Sequence, residues 1–282
     1  MEKFCDLHTH STYSDGTYTP AEILDAAIEA QLSAVALCDH NTVDGLLEFE
    51  RYAEGKDVEA ISGIEFSTEF EGIEVHILGL FLPRDSHAAV KALLDVYIKE
   101  KENSNRWLTK SLVRGGYDVD YDKIKEKYPN AIINRAHIAA ELTEKGYTSS
   151  ISEAMRGILS REAGHYVPPR RLSAIECIEF IGKIGAVSVV AHPFLNLTEE
   201  KLRELLAEGK KHGLCGIECE YSMYDEGTAK LSVALSREFG LLPSGGSDFH
   251  GARKPEIAIG TGKGSLRVPA EWMTELKKTV KE

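Results

Sequence analysis

Cysteines are few in this chain, and none has the spacing that disulfide frameworks or Cys-type metal sites require. The five cysteines form no Cys-x-x-Cys pair, and their odd number argues against a set of structural disulfides. Long hydrophobic runs are also lacking, since no apolar stretch approaches the roughly 20 residues of a membrane-spanning helix. The N-terminus shows no basic segment followed by an apolar one, as a secretory signal would. We therefore expect a cytoplasmic protein with free thiols and no membrane association.

Basic residues are outnumbered, which restricts the partners that the surface can bind. The 33 Lys and Arg residues face 45 Asp and Glu residues, giving a formal net charge of −12. Such a surface does not favour non-specific nucleic-acid binding. Residues 99–171 are different, with 14 Lys or Arg and 10 Asp or Glu. This basic segment would suit an anionic substrate, although surface charge also varies between subdomains for no functional reason.

Alternating strand and helix patterns run through most of the chain. Apolar, β-type runs predict strands at 4–8, 33–38, 59–66, 73–82, 186–191, 216–221 and 242–246. Amphipathic or capped segments predict helices at 21–30 and 42–53 and from residues 86, 198, 225 and 269 onward. A last apolar run lies at 257–259. Residues 99–171 break this rhythm with Gly, Pro and Asn between short helical pieces.

Without residues 99–171, about 30 residues remain for each of seven strand–helix units, the usual βαβ length. This arithmetic predicts an α/β fold, a distorted seven-stranded (β/α)7 barrel of the TIM type. The barrel would comprise residues 1–98 and 172–282, and residues 99–171 would form an inserted helical subdomain that binds substrate. An open doubly wound sheet is the alternative. It normally carries a glycine-rich nucleotide loop after the first strand, where this chain has His-Thr-His.

The pair His8-x-His10 at the end of the first strand is the first sign of a metal site. Residues i and i+2 of a strand point to the same side, so the two imidazoles converge on one point. Two neutral imidazoles on one point suit a divalent metal ion. Two histidines near an N-terminus could instead be solvated or packed in the core, so the pair alone does not decide.

Acidic residues and histidines recur at the ends of the other predicted strands. Barrel enzymes draw their catalytic residues from the C-terminal ends of several strands. Six of the ten histidines lie at such positions, and a buried unpaired histidine is costly to maintain, so chance placement explains the pattern poorly. The residues are His8, His10, Asp15, Asp39, His40, Glu65, His76, His192, Asp248 and His250. Asp39 could accept a hydrogen bond from a ligand imidazole or serve in a turn.

The ordered motifs resemble those of the polymerase and histidinol phosphatase (PHP) family. They are His8-Thr-His10-Ser, Asp39-His40-Asn, Gly63-x-Glu65, His76, Ala-His192-Pro and Gly-Ser-Asp248-Phe-His250. Together they span the chain from end to end and are far more specific than any single motif. The resemblance implies a distorted seven-stranded barrel with a trinuclear metal centre that hydrolyses phosphoesters.

The resemblance also implies how the ligands are shared among the ions. The first ion would take His8, His10, Glu65 and Asp248. The second would take His76 and His192 with Glu65 as a bridge, and the third Asp15, His40 and His250. We expect two or three divalent ions, and a ligand set of imidazole and carboxylate without thiolate suits Mn, Fe or Zn. A hydroxide bridging two ions would then attack phosphorus.

The inserted segment carries the candidates for substrate binding. Its Asn-Arg135-Ala-His137-Ile-Ala stretch resembles an Arg-x-His-x-Ala stretch in a PHP subgroup that includes 3′,5′-nucleotide bisphosphate phosphatases. The resemblance implies that Arg135 binds a phosphate, which bidentate guanidinium geometry suits. His137 is a weaker candidate, because a lone histidine on a short helix is more often packed or exposed. Tyr166 could stack on a base, and Arg253 and Lys254 could reach a second phosphate. Asp248, Arg135 and His137 are the catalytic candidates.

These observations together predict a metal-dependent phosphoesterase. Its substrate would be a phosphomonoester of a small nucleotide such as a 3′,5′-bisphosphonucleoside, and no protein partner is required. A 5′–3′ exonuclease on short RNA is a close alternative, because it would use the same centre with a longer groove. A histidinol phosphatase and a non-enzymatic PHP domain are further alternatives, the last disfavoured because all nine ligand positions are filled. Hydrolysis of amides or lactams is disfavoured because the chain lacks the carboxylated-lysine signal of that group.

Overall fold

One mixed β-sheet forms the centre of the protein. The computed structural model describes residues 3–129 and 131–280. The strands are β1 Phe4–Thr9, β2 Ala34–Leu37, β3 Glu59–Phe70, β4 Ile73–Leu80, β5 Leu172–Ser173, β6 Val187–Ala191, β7 Gly216–Tyr221, β8 Leu242–Gly246 and β9 Val268–Pro269. The helices are α1 Pro20–Glu29, α2 Leu46–Ala53, α3 His87–Arg114, α4 Tyr121–Lys127, α5 Arg135–Glu144, α6 Ile151–Arg156, α7 Ala174–Lys183, α8 Glu199–Lys211, α9 Glu226–Glu238 and α10 Ala270–Lys277.

The sheet curls until its two ends nearly meet. Its strand order is β8-β7-β6-β4-β3-β2-β1-β9, and β5 pairs with β3. The segment after β8 hydrogen-bonds to β1, because the Asp248 N–H donates to the His8 carbonyl (2.8 Å) and the His10 N–H to the Phe249 carbonyl (3.0 Å). The predicted α/β barrel is confirmed, and the open doubly wound sheet is wrong. Closure brings the carboxyl ends of the parallel strands to one rim.

The sheet departs from a regular (β/α)7 barrel at β4. This strand is antiparallel to both of its neighbours, β3 and β6. Only Glu71 and Gly72 separate β3 from β4, and both have positive φ (51° and 78°), so the two strands form a hairpin. A helical crossover needs a dozen or more residues and cannot fit there. The regular repeat of strand–helix units expected for a (β/α)7 barrel is therefore interrupted at this point.

Several element boundaries also differ from those predicted. Residues 42–45 form a turn, so α2 begins at Leu46. The apolar run at 257–259 makes only an isolated bridge between Ala258 and Gly262. Helix α7 lies between β5 and β6 and was not predicted. The exact count of seven strands is not confirmed, since the sheet of the described residues also contains the two-residue strands β5 and β9.

The core lies on both faces of the strands, as continuous apolar runs require. All four residues of β2 and all five of β6 are buried. The outer helices cover the sheet with apolar stripes, for example Ile23, Leu24 and Ala27 of α1. Helix α1 begins at Pro20, one residue before the predicted start, and Thr19 is its N-cap in a capping box with Glu22.

Helices α3 to α6 occupy most of the chain between β4 and β5 and have a core of their own. Leu108, Ile124, Ile138 and Leu159 belong to this buried cluster. Helix α3 starts at His87, so it crosses the predicted boundary at residue 99. The division into a barrel and an inserted subdomain stays a prediction.

The structure bears on the expected free thiols and on the expected lack of a membrane-spanning helix. All five cysteines are free, and only Cys215 is not fully buried. No helix among residues 3–129 and 131–280 has both the length and the apolar character needed to cross a membrane.

Candidate metal centre

Glu65 of β3 lies at the centre of a buried histidine cluster at the rim of the barrel. Its Oε2 atom is 3.3 Å from His8 Nε2, 3.2 Å from His10 Nε2 and 3.0 Å from His40 Nδ1. Its Oε1 atom is 2.7 Å from His76 Nδ1 and 3.0 Å from His192 Nε2. Five histidines from four parts of the sheet therefore surround one carboxylate: two from the end of β1, and one each from the segment after β2, from within β4 and from the end of β6. This central place is what a bridging ligand would need.

The remaining predicted ligands lie on one side of this cluster. His250 Nε2 is 3.2 Å from Asp15 Oδ1, and the His10 and His250 rings stack at 4.2 Å. Asp248 Oδ1 is 3.2 Å from His10 Nε2. The structure thus brings all nine predicted ligand residues together. Three overlapping groups have ligand atoms close enough to share an ion: His10, Asp15, His40 and His250; His8, His10 and Glu65; and His40, Glu65 and His76.

Two candidate ligand carboxylates accept hydrogen bonds on one oxygen, which leaves the other oxygen facing the cluster. The Asn134 amide donates to Asp15 Oδ2 (2.8 Å), and the Tyr221 hydroxyl (2.9 Å) and Lys254 ammonium (2.6 Å) donate to Asp248 Oδ2. The atoms that face inward include buried ones with no hydrogen-bond partner: His8 Nε2, both ring nitrogens of His10, Asp15 Oδ1, His40 Nδ1 and Glu65 Oε2. Buried polar atoms are normally paired. Divalent cations would satisfy this set, so the residues fit the expected metals.

The electrostatics of the cluster also favour bound cations. Burial alone would raise the pKa of Glu65, but His40, His76 and His8 outweigh it and hold that pKa well below its usual range. Asp248 is also buried, and Lys254 and His250 hold its pKa low. Both carboxylates are therefore ionised at neutral pH and available as ligands. The choice among Mn, Fe and Zn stays a prediction from the ligand types, and the number of two or three ions stays what the family resemblance implies.

The backbone at the site adopts conformations that non-glycine residues rarely show. The φ angles are 52° at Asn41, 27° at His192 and 54° at Asp248. Each of these residues follows or ends a strand at the rim. Such conformations persist only where the surroundings impose them, and they cluster at functional sites. They aim His192 and Asp248 at the cluster in a way that strand periodicity alone would not predict.

A cavity of about 180 Å³ opens beside the cluster. Asp15, His40 and His76 line its inner wall, and the outer wall is basic. The basic residues are Lys101, Arg135, Arg170 and Arg171, with Glu74 the acidic residue between them. Glu74 Oε2 is 2.8 Å from Arg171 and 3.5 Å from Arg135. The cavity therefore lies between the His–carboxylate cluster and a basic wall.

Arg135 and Tyr166 meet in this cavity as a pair. The Arg135 guanidinium lies 4.2 Å from the centre of the Tyr166 ring. A stacked guanidinium keeps its N–H groups in the ring plane free to bind phosphate oxygens. Tyr166 is buried, and its ring packs against Arg135, so its contact is with the cation and stacking on a base stays a prediction.

Three other predicted substrate-binding residues, His137, Arg253 and Lys254, do not line this cavity. His137 is buried at the start of α5, where its Nδ1 accepts the Asn134 N–H (3.1 Å). Burial and nearby Arg253 lower the pKa of His137 to about 3, so the ring is neutral near pH 7 and does not act there as an imidazolium acid. Its catalytic and substrate-binding roles stay predictions, and in the structure its ring is packed and hydrogen-bonded at the start of α5. Arg253 packs over Tyr128 at 4.9 Å, and Lys254 is paired with Asp248.

The prediction that Asp39 accepts from a ligand imidazole is wrong. Its carboxylate accepts instead from the Ser11 N–H (2.8 Å), the Ser11 hydroxyl (2.6 Å) and the Ser14 hydroxyl (2.5 Å). Asp39 thus ties down the loop that follows β1. That loop carries Asp15, so Asp39 acts on the site through the backbone.

Several residues that shape the site were not predicted from the sequence. Glu218 and Tyr221 come from β7, Asn134 precedes α5, and Lys101 lies on α3. Of these residues, only Glu218 could have been identified from the sequence, because a glutamate within the apolar run Gly-Ile-Glu-Cys of a strand is unusual. The others occupy ordinary surface-type positions in the sequence. Only the packing of helices α3 and α5 against the rim brings Lys101 and Asn134 to the cluster.

Comparison with known proteins identifies the family. The PHP domain model matches residues 6–165. A 5′-3′ exoribonuclease of Haemophilus influenzae is 32% identical over 251 residues, 89% of this chain and 91% of the relative. A phosphoribosyl 1,2-cyclic phosphate 1,2-diphosphodiesterase of Eggerthella lenta is 29% identical over 94% of this chain and 99% of its own length. A 3′,5′-nucleoside bisphosphate phosphatase of Chromobacterium violaceum is 28% identical, with coverage of 87% and 86%.

A solved structure confirms the fold. The crystal structure of a predicted metal-dependent phosphoesterase from Bifidobacterium adolescentis superposes with a TM-score of 0.87 and 24% identity. The match covers 99% of this chain and 97% of that one. The family match, the exoribonuclease relative and the buried His–carboxylate cluster all agree. The chain is a member of the PHP family and a hydrolase of phosphoric esters.

Proposed function

We propose that this protein hydrolyses a phosphomonoester of a small nucleotide, such as a 3′,5′-bisphosphonucleoside. The observation that carries the proposal is the cavity, in which metal-type ligands face Lys101, Arg135, Arg170 and Arg171. A substrate with two phosphates would place one at the ligand cluster and the other against the basic wall. The bisphosphate phosphatase relative supports this substrate class.

The nine-residue ligand set would hold two or three divalent ions. Bound ions would supply a hydroxide at neutral pH and stabilise charge on the phosphoryl oxygens. Arg135 would orient the phosphate, since its guanidinium is held by Tyr166 and Glu74 before substrate arrives. Lys101 carries no ion pair with a described carboxylate within 4 Å, so its ammonium is free to meet an anion in the cavity. Burial lowers the pKa of Lys101, while nearby Asp15 and Glu74 act against that shift and favour its charged form.

A 5′–3′ exonuclease on short RNA is the second candidate. The 32% identity to the Haemophilus influenzae exoribonuclease favours it. Both activities would use the same cluster and the same phosphate-binding wall. They differ in whether the bases beyond the first nucleotide find room outside the cavity.

The test is release of phosphate from 3′,5′-adenosine bisphosphate with Mn²⁺ present, run beside a short 5′-phosphorylated RNA. Fast release from the bisphosphate with little RNA shortening would support the nucleotide phosphatase. RNA shortening at equal or better kcat/KM would support the exonuclease instead. Turnover of neither substrate would contradict the proposed substrate class, although the ligand cluster would stand.

Arg135→Ala provides the first mutational prediction. We expect kcat/KM for the bisphosphate to fall tenfold or more, since loss of a buried charged contact costs about 2–4 kcal/mol. Arg106→Ala is the matched control, because Arg106 pairs with Glu102 and Asp122 on the outer side of α3 and does not line the cavity. Equal kinetics for Arg135→Ala and the wild-type protein would remove Arg135 from the site.

A further inference from the structure

Glu218 of β7 is a fully buried carboxylate in contact with two of the proposed metal ligands. Its side chain is 0% exposed. Its Oε1 atom is 3.1 Å from His8 Nδ1, and its Oε2 atom accepts the backbone N–H of His192 at 2.6 Å. A buried carboxylate is costly unless it is fully hydrogen-bonded. Both oxygens of Glu218 are used on residues of the metal centre.

The contact with His8 selects one form of the imidazole. A carboxylate oxygen can only accept, so Nδ1 must carry the hydrogen. In the neutral ring the lone pair then lies on Nε2. His8 Nε2 is the atom that faces Glu65 Oε2 at 3.3 Å and has no hydrogen-bond partner. Glu218 thus leaves a lone pair directed into the cluster, as a metal ligand requires.

The contact with His192 holds the backbone in an unusual conformation. His192 has φ 27° and ψ 51°, which a non-glycine residue adopts only when neighbouring groups impose it. Its N–H points to Glu218 Oε2 while its ring Nε2 lies 3.0 Å from Glu65 Oε1. The His8 and His192 rings stack with centroids 5.6 Å apart. One carboxylate therefore aligns ligands from β1 and from the end of β6.

We propose that Glu218 is a positioning residue of the metal centre, one that fixes the His8 tautomer and the His192 main chain for metal binding. The inference rests on the proposed ligand set and is independent of which phosphoester is hydrolysed. Glu218 contacts no reacting atom and acts through the two histidines. Its charge also adds to the negative charge that the ions would meet.

The test compares Glu218→Gln with Glu220→Gln in metal-stripped protein titrated with Mn²⁺ by calorimetry. Glutamine has one donor end, so it cannot accept from both His8 and His192. We expect the Mn²⁺ affinity of E218Q to fall by about 10- to 100-fold, the usual effect of losing a carboxylate behind a metal-bound histidine. Glu220 lies on the same strand without a hydrogen bond or ion pair to any described residue of the metal centre, so E220Q should stay within about twofold of wild type.

A thermal melt of the metal-free proteins separates positioning from folding. We expect E218Q to melt near the wild-type temperature without metal and to gain less from added Mn²⁺. If E218Q does not fold, Glu218→Asp replaces it, since the shorter carboxylate keeps the charge but cannot reach both histidines. In a His8→Ala background the effect of E218Q should shrink. Wild-type Mn²⁺ affinity in both Glu218 variants would overturn the proposal.

Different results would contradict the role of Glu218 and the proposed hydrolysis of a nucleotide phosphomonoester. A wild-type protein that binds Mn²⁺ but hydrolyses another phosphoester would leave the role of Glu218 intact. A wild-type protein that binds none of Mn²⁺, Fe²⁺ and Zn²⁺ would overturn the ligand set and Glu218's role with it.

Discussion

The candidate ligand side chains of this site are hydrogen-bonded by supporting residues on the side away from the cluster. Asp15 is held by Asn134, Asp248 by Tyr221 and Lys254, and the loop of Asp15 by Asp39. The supporting residues use ordinary hydrogen bonds to fix the rotamer of each ligand. Ligand atoms are then left unpaired before any ion binds, so little conformational freedom remains to be lost on binding.

His137 gives a prediction at this scale, because a buried neutral histidine makes stability depend on pH. Its pKa is lowered to about 3 in the folded protein, mainly by burial. The unfolded chain takes up a proton on this residue below about pH 6.5, whereas the folded protein does not until much lower pH. The stability contributed by the neutral ring is therefore full above pH 6.5 and is lost as the pH falls towards 3.

We expect this single group to remove about 2 kcal/mol of unfolding free energy between pH 7 and pH 5. In His137→Gln the loss over that interval should be smaller by this amount. Urea unfolding of both proteins at the two pH values, with chelator present throughout, measures the difference. The metal ligands then titrate equally in both proteins. Identical pH dependence of the two would contradict the buried, neutral state of His137.

At the scale of elements, α5 links the substrate side of the cavity to the metal centre. Asn134 caps α5, since its Oδ1 accepts the N–H groups of Ala136 (2.9 Å) and His137 (3.2 Å). Its amide nitrogen donates to Asp15. One side chain thus fixes the helix that begins with Arg135 relative to a metal ligand.

We predict that Asn134→Ala lowers both stability and activity. Loss of the cap should cost about 1 kcal/mol, and kcat/KM should fall tenfold or more because Asp15 and Arg135 lose their common support. Ser150→Ala is the matched control, since Ser150 caps the adjacent helix α6 through the Glu153 N–H and touches no metal ligand. Urea unfolding and steady-state kinetics would show similar stability losses with an activity loss in Asn134→Ala only. An equal activity loss in both variants would contradict this role.

At the scale of the whole molecule, closure of the sheet concentrates unpaired ligand atoms at one rim. Six histidines and three carboxylates from strands far apart in the sequence share one buried space. Such a cluster is poorly satisfied without cations. Ions that bind only the folded state stabilise it by mass action, by about 2.7 kcal/mol at a concentration 100 times the dissociation constant.

We therefore expect chelator-treated protein to be less stable than protein with Mn²⁺ at about 100 times its dissociation constant, by roughly 2.7 kcal/mol for each ion bound. Urea unfolding with and without Mn²⁺ gives the difference. Arg135→Ala should show the same gain, because Arg135 belongs to the cavity wall and not to the ligand set. Absence of any gain in the wild-type protein would contradict a metal centre at this rim.

The sequence by itself determined the family and the class of fold and predicted the candidate ligand residues, and tertiary structure decided the rest. Strand-end motifs such as His8-x-His10 are local, so their spacing predicts which side chains meet at a barrel rim. Strand β4 is antiparallel to β3 because a two-residue turn joins them. Its second partner, β6, is far away in the sequence, so only the folded sheet shows that pairing. Asn134, Lys101 and Glu218 act across long sequence separations, where no local pattern records the contact. The neutral state of His137 likewise depends on its burial, which raises the free energy of its charged form and which the sequence alone does not show.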